Sequence, residues 1–193
     1  MILYGSNTSP FARRLRLWLA REHLPFTYQH IDIFSTEGRA ILNEHNPAKK
    51  IPFLVDGATV ICDSNVIFRY VSQKFQLSAL TWHQENVLTY INACNDSCVE
   101  LLLCDRSGFD TKDDKLFFNL QRERVSSLLT LLNEECEKSS FINCSYLAIS
   151  LYCLLDWIAF RALWTLDEHP NLQRFYSVFS TQDDVAQSDP RNH

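Results

Sequence analysis

The spacing of apolar positions changes character once along the chain. In the first third, apolar residues come in short bursts: residues 2–4 read as a strand, 10–22 as a helix and 26–33 as a second strand, a β-α-β opening. Two further apolar runs, 51–55 and 59–62, flank Asp56-Gly57, a pair that supplies the positive φ angles a tight hairpin turn needs. Residues 64–75 follow as a helix. Beyond Trp82 the strand signals vanish, and Val87, Ile91, Cys94, Cys98, Leu101 and Leu102 recur at three-and-four spacing on one helix face. Leu116, Leu120, Leu128, Leu131 and Leu132 repeat that spacing in a second helix. Residues 146–164 and 170–179 read as two more. The change of pattern at 76–81 predicts a mixed α/β domain over 1–75 and an all-helical domain over 82–193, with the polar end from 181 loosely held.

Composition adds bounds to this picture. The chain has 193 residues, 46% of them hydrophobic and 21% charged, enough apolar material for a sizeable core. A net charge of −5 offers no overall attraction to nucleic acid or to an anionic membrane, so neither is an expected partner. Arg13, Arg14, Arg16 and Arg21 lie opposite the apolar face formed by Phe11, Leu15, Trp18 and Leu19, and read as a solvated face. The seven cysteines form no CxxC pair, their number is odd, and no charged-then-apolar leader precedes Ile2, which points to a reducing cytoplasmic compartment. The apolar stretch 146–164 is long enough for a membrane span, but Asp156 and Arg161 interrupt it, and a buried central helix is expected. Cys94 and Cys98, one helical turn apart, read as core packing. His23, His30, His45, His83, His169 and His193 show no metal-ligand spacing, so no metal is expected.

Three places in the first 75 residues carry chemistry. Ser9-Pro10 puts a serine at the N-cap and a proline at the first helical position, where unpaired N–H groups and the helix dipole favour an anion such as a thiolate. Plain capping is the alternative. Ile51-Pro52 introduces a strand, and a proline there is accommodated either by a cis peptide that turns the Ile51 backbone outward or by a trans edge-strand start. Asp63-Ser64 precedes a helix expected to begin near Asn65, with Ser64 as its cap; such a terminus holds a carboxylate, and Asp63 an ammonium, unless the pair is only a cap.

Taken together, Ser9-Pro10-Phe11 with Arg13, then Asn46-Pro47 and Lys50-Ile51-Pro52, then Cys62-Asp63-Ser64, resemble the fingerprint of the glutathione S-transferases, in particular serine-type members. Ser145 at the start of the central helix, His169-Pro170-Asn171-Leu172 and Phe175 are similar to that family's later helices. The resemblance implies a thioredoxin-like domain followed by an all-helical one. It further implies that Ser9 stabilises the glutathione thiolate, that Ile51 before a cis Pro52 pairs with the cysteinyl backbone, that Asp63 and Ser64 hold the γ-glutamyl end, and that Lys50 meets the glycyl carboxylate. A small electrophile would be the second substrate, with Trp82, Tyr90 or Trp164 as candidate pocket residues, and a homodimer is the expected assembly.

The chain departs from the family pattern at two points. Many relatives carry a cysteine where this chain has Ser9, which argues here against chemistry through a protein mixed disulfide. Asn7 and Thr8 are close enough to share the hydroxyl's role. Ser145 is followed three positions later by Ala148 instead of an acidic residue, half of a capping box, an omission worth about 1 kcal/mol. Two rivals to a transferase are a non-enzymatic protein-binding module of the same fold, like the stringent-starvation proteins, and a glutathione-binding protein with negligible turnover.

Overall fold

A computed structural model describes residues 1–192, so His193 lies outside the described residues. The chain divides into two compact units, Met1–Ala79 together with the residues from Gln182 onward, and Leu80–Thr181.

The first unit is built on a four-stranded sheet in the order β2-β1-β3-β4, from β1 (Ile2–Gly5), β2 (Thr27–His30), β3 (Phe53–Asp56) and β4 (Thr59–Cys62). β1 and β2 run parallel across the helix α1 (Pro10–Arg21), the expected β-α-β opening, while β3 pairs antiparallel with both β1 and β4. The hairpin turn has two residues, Gly57-Ala58, since Asp56 pairs with Thr59. Its glycine, at φ 60°, stands first, as in a type II′ turn; Asp56, the last strand residue, opens the turn without a positive φ of its own.

Alternation along the strands sorts the sheet's two faces. Leu3, Leu54 and Ile61 are opposite one another and buried, turned to the side packed by α1 and by α3 (Ser64–Lys74). Tyr4, Phe53 and Cys62 share the other face, where Ile31, Leu42, Ile41 and Ile51 complete an apolar cluster. Leu42 and Ile41 come from α2 (Thr36–His45), a helix that the sequence pattern did not announce: only Gly38 and Leu42 in it are buried. Its start is local chemistry, with Ser35 Oγ accepting the Gly38 N–H at 3.0 Å.

Two expectations for this unit are corrected. Arg13 and Arg14 are not solvated; they are 3% and 1% exposed. Apolar residues occupy most of the circumference of α1, leaving no wet face there for them, so each must find a buried partner. The described part of the polar end is not loosely held either. Arg13 Nε donates to Ser188 Oγ at 3.0 Å and Arg21 Nε to Asp184 Oδ2 at 2.5 Å, while Val185 and Pro190 are buried. The helix α9 (Asp183–Ala186) and a closing 3₁₀ turn (Pro190–Asn192) are thereby anchored against α1.

The second unit is all-helical: α4 (Trp82–Arg106), α5 (Leu116–Glu135), α6 (Ser139–Ile142), α7 (Ser145–Phe160) and α8 (Pro170–Ser180). α7 is buried at twelve of its sixteen positions, which makes it the central helix. Its acidic residue is accommodated because Asp156 Oδ1 accepts the Tyr176 hydroxyl at 2.8 Å. Among the described residues no helix is long and apolar enough to cross a membrane. The cap of α7 falls on Cys144 and Ser145 is its first helical residue, one position off the expected register. In α5 the expected leucine stripe is mostly outside: Leu116, Leu120 and Leu131 are 77%, 46% and 36% exposed, and of that stripe Leu132 is buried, where Phe118, Gln121, Val125 and Leu129 join it in facing the core.

α8 is capped from a neighbouring helix. Its N-cap His169 makes no side-chain cap bond, and instead the amide oxygen of buried Asn133 on α5 accepts the N–H groups of Asn171 at 3.0 Å and Leu172 at 3.3 Å. Asn133→Ala leaves both donors without that acceptor, and is expected to lower the free energy of unfolding by about 2 kcal/mol, read by urea denaturation.

Candidate functional site

The strand register gathers three loops at one end of the sheet. Tyr4 pairs with Phe53 and Phe53 with Cys62, so the C-terminal end of β1, the start of β3 and the end of β4 lie side by side. The loop carrying Ser9 leaves from the first, Lys50-Ile51-Pro52 leads into the second, and Asp63-Ser64 leaves from the third. Antiparallel pairing makes residues distant in sequence neighbours here.

Ser9 is the N-cap of α1, in extended conformation at φ −82° and ψ 122°, with Pro10 at the first helical position. Its hydroxyl oxygen accepts the Ala12 N–H at 3.3 Å. A hydroxyl that accepts through a lone pair keeps its proton to donate, so capping and thiolate stabilisation are compatible. Ser9 is half-buried. The side chains of its rivals are engaged elsewhere: the Thr8 hydroxyl lies 3.3 Å from that of Ser6 in the loop, and the Asn7 amide oxygen accepts from Arg16 of α1 at 3.4 Å. Gly5, just before this loop, lets α1 approach β1 closely, for a Cβ there would stand 2.5 Å from that of Ala12.

The Ile51-Pro52 peptide is cis, and Ile51 stands outside the ladder, whose first paired residue on this strand is Phe53. The loop before it is organised by Asn46, 1% exposed, whose side chain accepts the Ala48 N–H at 3.0 Å and donates to the Lys50 carbonyl at 2.6 Å. In the sequence Asn46 stands in the Asn46-Pro47 pair, with no local signal that marks this work. Lys50 itself is exposed.

At the third loop the register differs from expectation: Asp63 is the N-cap of α3 and Ser64 its first helical residue. Asp63 Oδ1 accepts the N–H groups of Asn65 at 2.8 Å and Val66 at 3.3 Å, with φ at 74°. Ser64 is buried, and its hydroxyl accepts a hydrogen bond from Arg14. The same guanidinium donates to Asn65 Oδ1 at 3.3 Å and lies 5.0 Å from the Phe11 ring centre. Arg14 thus brings positive charge to the start of α3, which suits an anionic group there. The signal that could have revealed it was the apolar character of α1 on both sides of Arg13-Arg14.

The chemistry available follows from these groups. Burial, and secondarily the charge of Asp63, pushes the Cys62 thiol above its ordinary pKa, so the one cysteine beside these loops is held as a thiol. All seven cysteines are free. Among the described residues no group of three or more His, Cys, Asp or Glu side chains is placed to hold a metal ion. In the helical unit, Trp82 is 87% exposed at the start of α4, while Tyr90 and Trp164 are half-buried. An open groove of about 430 Å³ between α4 and α5 is lined by Asp96, Ser97, Glu100, Phe117 and Arg124, and by none of those three aromatics.

Residues 3–79 match the family model described as glutathione S-transferase, N-terminal domain. A probable maleylacetoacetate isomerase from Caenorhabditis elegans is 37% identical over 73 residues, covering 37% of this chain and 34% of that one. Glutathione S-transferase 1 from Dianthus caryophyllus is 33% identical over 102 residues, 46% of this chain and 45% of that one. The chain therefore spans between a third and a half of the length of these curated relatives. Among solved structures, a glutathione S-transferase from Methylobacillus flagellatus with GSH bound superposes with a TM-score of 0.82 at 21% identity, covering 98% of both chains. A glutathione transferase family member from Pseudomonas fluorescens with bound glutathione gives 0.79 at 23% identity, again over 98% of both. At such identities the likeness is one of fold: a thioredoxin-like sheet domain with a helical domain.

Proposed function

From the match of residues 3–79 to the glutathione S-transferase N-terminal domain and the likeness of the fold to glutathione transferases, we propose that this chain belongs to that superfamily, binds glutathione and activates its thiol for attack on a small electrophile. The observation that supports the reading most directly is the Ser9 hydroxyl, capping α1 with a lone pair while its proton is left to donate. A thiolate beside it gains that hydrogen bond and the positive end of the α1 dipole, both of which lower the thiol's pKa. The thiol proton passes to solvent, sulfur forms a bond to the electrophilic carbon, and any leaving group departs with the bonding pair. Catalysis then comes from thiolate stabilisation and positioning, with no covalent attachment to the protein.

The remaining contacts follow the tripeptide's chemistry. Ile51, next to Pro52 and outside the ladder, pairs its backbone with the cysteinyl residue as an added strand would. Ser64 at the α3 terminus, with the Arg14 charge behind it, receives the γ-glutamyl carboxylate, and Asp63 its ammonium. Lys50 meets the glycyl carboxylate. Trp82, Tyr90 and Trp164 are the candidates to contact the electrophile. On the same reading the protein works as a cytoplasmic homodimer in detoxification or stress response, and its seven free cysteines accord with a reducing compartment.

Calorimetric titration with reduced glutathione tests the reading. Binding in the micromolar to millimolar range is expected. Asp63→Asn keeps a capping side chain but removes the charge facing the ammonium, and is expected to weaken binding about tenfold, or about 1.4 kcal/mol. Absence of binding to the folded wild-type protein would overturn the proposal in favour of a protein-binding module.

A further inference from the structure

The loop that carries Ser9 is gripped from two sides by side chains outside the glutathione contacts proposed above. From β2, His30 Nδ1 accepts the backbone N–H of Asn7 at 3.2 Å. From α1, Arg16 Nη1 donates to the Asn7 side-chain oxygen at 3.4 Å. Arg16 is in turn held over the ring of Tyr28, its guanidinium carbon 4.2 Å from the ring centre. Tyr28 is a firm platform: burial pushes its phenol up to about 12, against the opposing pull of Arg16, so the ring stays neutral. Asn7 is thus the point where strand β2 and helix α1 together hold the loop. Within the loop the tie passes on: Ser6 Oγ accepts the Thr8 N–H at 3.4 Å and the Ser6 carbonyl accepts the Ser9 N–H at 3.0 Å.

We propose that His30 and Arg16 are positioning residues for thiol activation: acting through Asn7, they fix the backbone that aims the Ser9 hydroxyl. The proposal rests on the transferase reading given above. For His30 the chemistry is specific, because an imidazole accepts through Nδ1 only as the neutral ring with its proton on Nε2. Removing the acceptor frees the Asn7 amide and lets the residues up to the Ser9 cap sample other conformations. Misplacement of a catalytic group by about 1 Å is enough to slow a reaction about a hundredfold, and a smaller shift proportionately less.

Two readouts on the full chain test this. The first needs no glutathione: NMR order parameters for the backbone amides of Asn7, Thr8 and Ser9 are expected to fall in His30→Leu and to return in His30→Asn, whose side-chain oxygen stands near the former Nδ1. The second is the pH dependence of the thiolate's ultraviolet absorption for bound glutathione. His30→Leu is expected to move its midpoint upward and lower kcat about tenfold with KM nearly unchanged, and His30→Asn to restore both. If the leucine variant fails to fold, Arg16→Met keeps the aliphatic stem over Tyr28, removes the Asn7 donor, and gives the same two signals. Unchanged loop order and unchanged thiol ionisation in a folded His30→Leu or Arg16→Met would overturn the proposal. Loss of loop order with no ionisation of glutathione even in the wild type would sink the transferase reading while upholding the coupling of His30 to the loop.

Discussion

On the proposed function, replacing Ser9 by alanine is expected to slow glutathione transfer about a hundredfold at neutral pH, by analogy with the loss of one donor from a preorganised anion site. The variant removes two interactions of unequal weight. The cap to the Ala12 N–H, 3.3 Å long, is worth about 1 kcal/mol of stability and leaves the fold intact. The hydrogen bond to sulfur stabilises only the ionised thiol, so its loss raises the pKa of bound glutathione. The sign is testable: the thiolate fraction recovers as pH rises, so the deficit of Ser9→Ala should shrink in alkaline buffer. Steady-state rates across pH, with the ultraviolet absorption of the bound thiolate, measure both effects. A rate equal to wild type at every pH would remove Ser9 from the mechanism.

Gly38→Ala is expected to destabilise the protein by about 3 kcal/mol, the upper part of the range for an overpacked position. A Cβ at Gly38 would stand 1.9 Å from the Asp32 carbonyl oxygen and 2.7 Å from its carbon. That carbonyl cannot swing away cheaply, because it accepts the Ser35 N–H at 3.1 Å and the Ser35 hydroxyl at 2.9 Å. The turn that caps α2 therefore has to move with it. Since α2 delivers Leu42 to the core and runs into Asn46, glutathione affinity should fall along with stability. Denaturant titration of the variant reads the first effect and calorimetry the second. A stability within 0.5 kcal/mol of wild type, the ordinary range for surface substitutions, would show that the turn yields more easily than its hydrogen bonds imply.

Local signals in the sequence determined the elements whose stabilising partners are close by along the chain. Ser9-Pro10 marked the start of α1, the apolar runs around residue 57 marked a hairpin, three-and-four spacing marked α4, and a long apolar stretch marked α7. These depend on capping, turn chemistry and periodicity, each of which acts within a few residues. The order of the three motifs sufficed to bring out the resemblance to the glutathione S-transferases, whose N-terminal domain model matches residues 3–79.

Contacts between distant residues decided the rest. α2 has only one large buried side chain, Leu42, and owes its place to the apolar cluster under the sheet. The exposed leucines Leu116, Leu120 and Leu131 of α5 are as hydrophobic as its core residues, and only the packing of neighbouring helices selected Phe118, Val125 and Leu129 for burial. Arg13 and Arg14 look solvated in a helical projection, yet Ser188 and Ser64, 175 and 50 residues away, supply their hydrogen bonds. The sequence by itself thus named Ser9, Ile51-Pro52 and Asp63-Ser64. It took the pairing of Tyr4 with Phe53 and of Phe53 with Cys62 to bring them to one end of a sheet, because strand register depends on what each face buries against the whole fold.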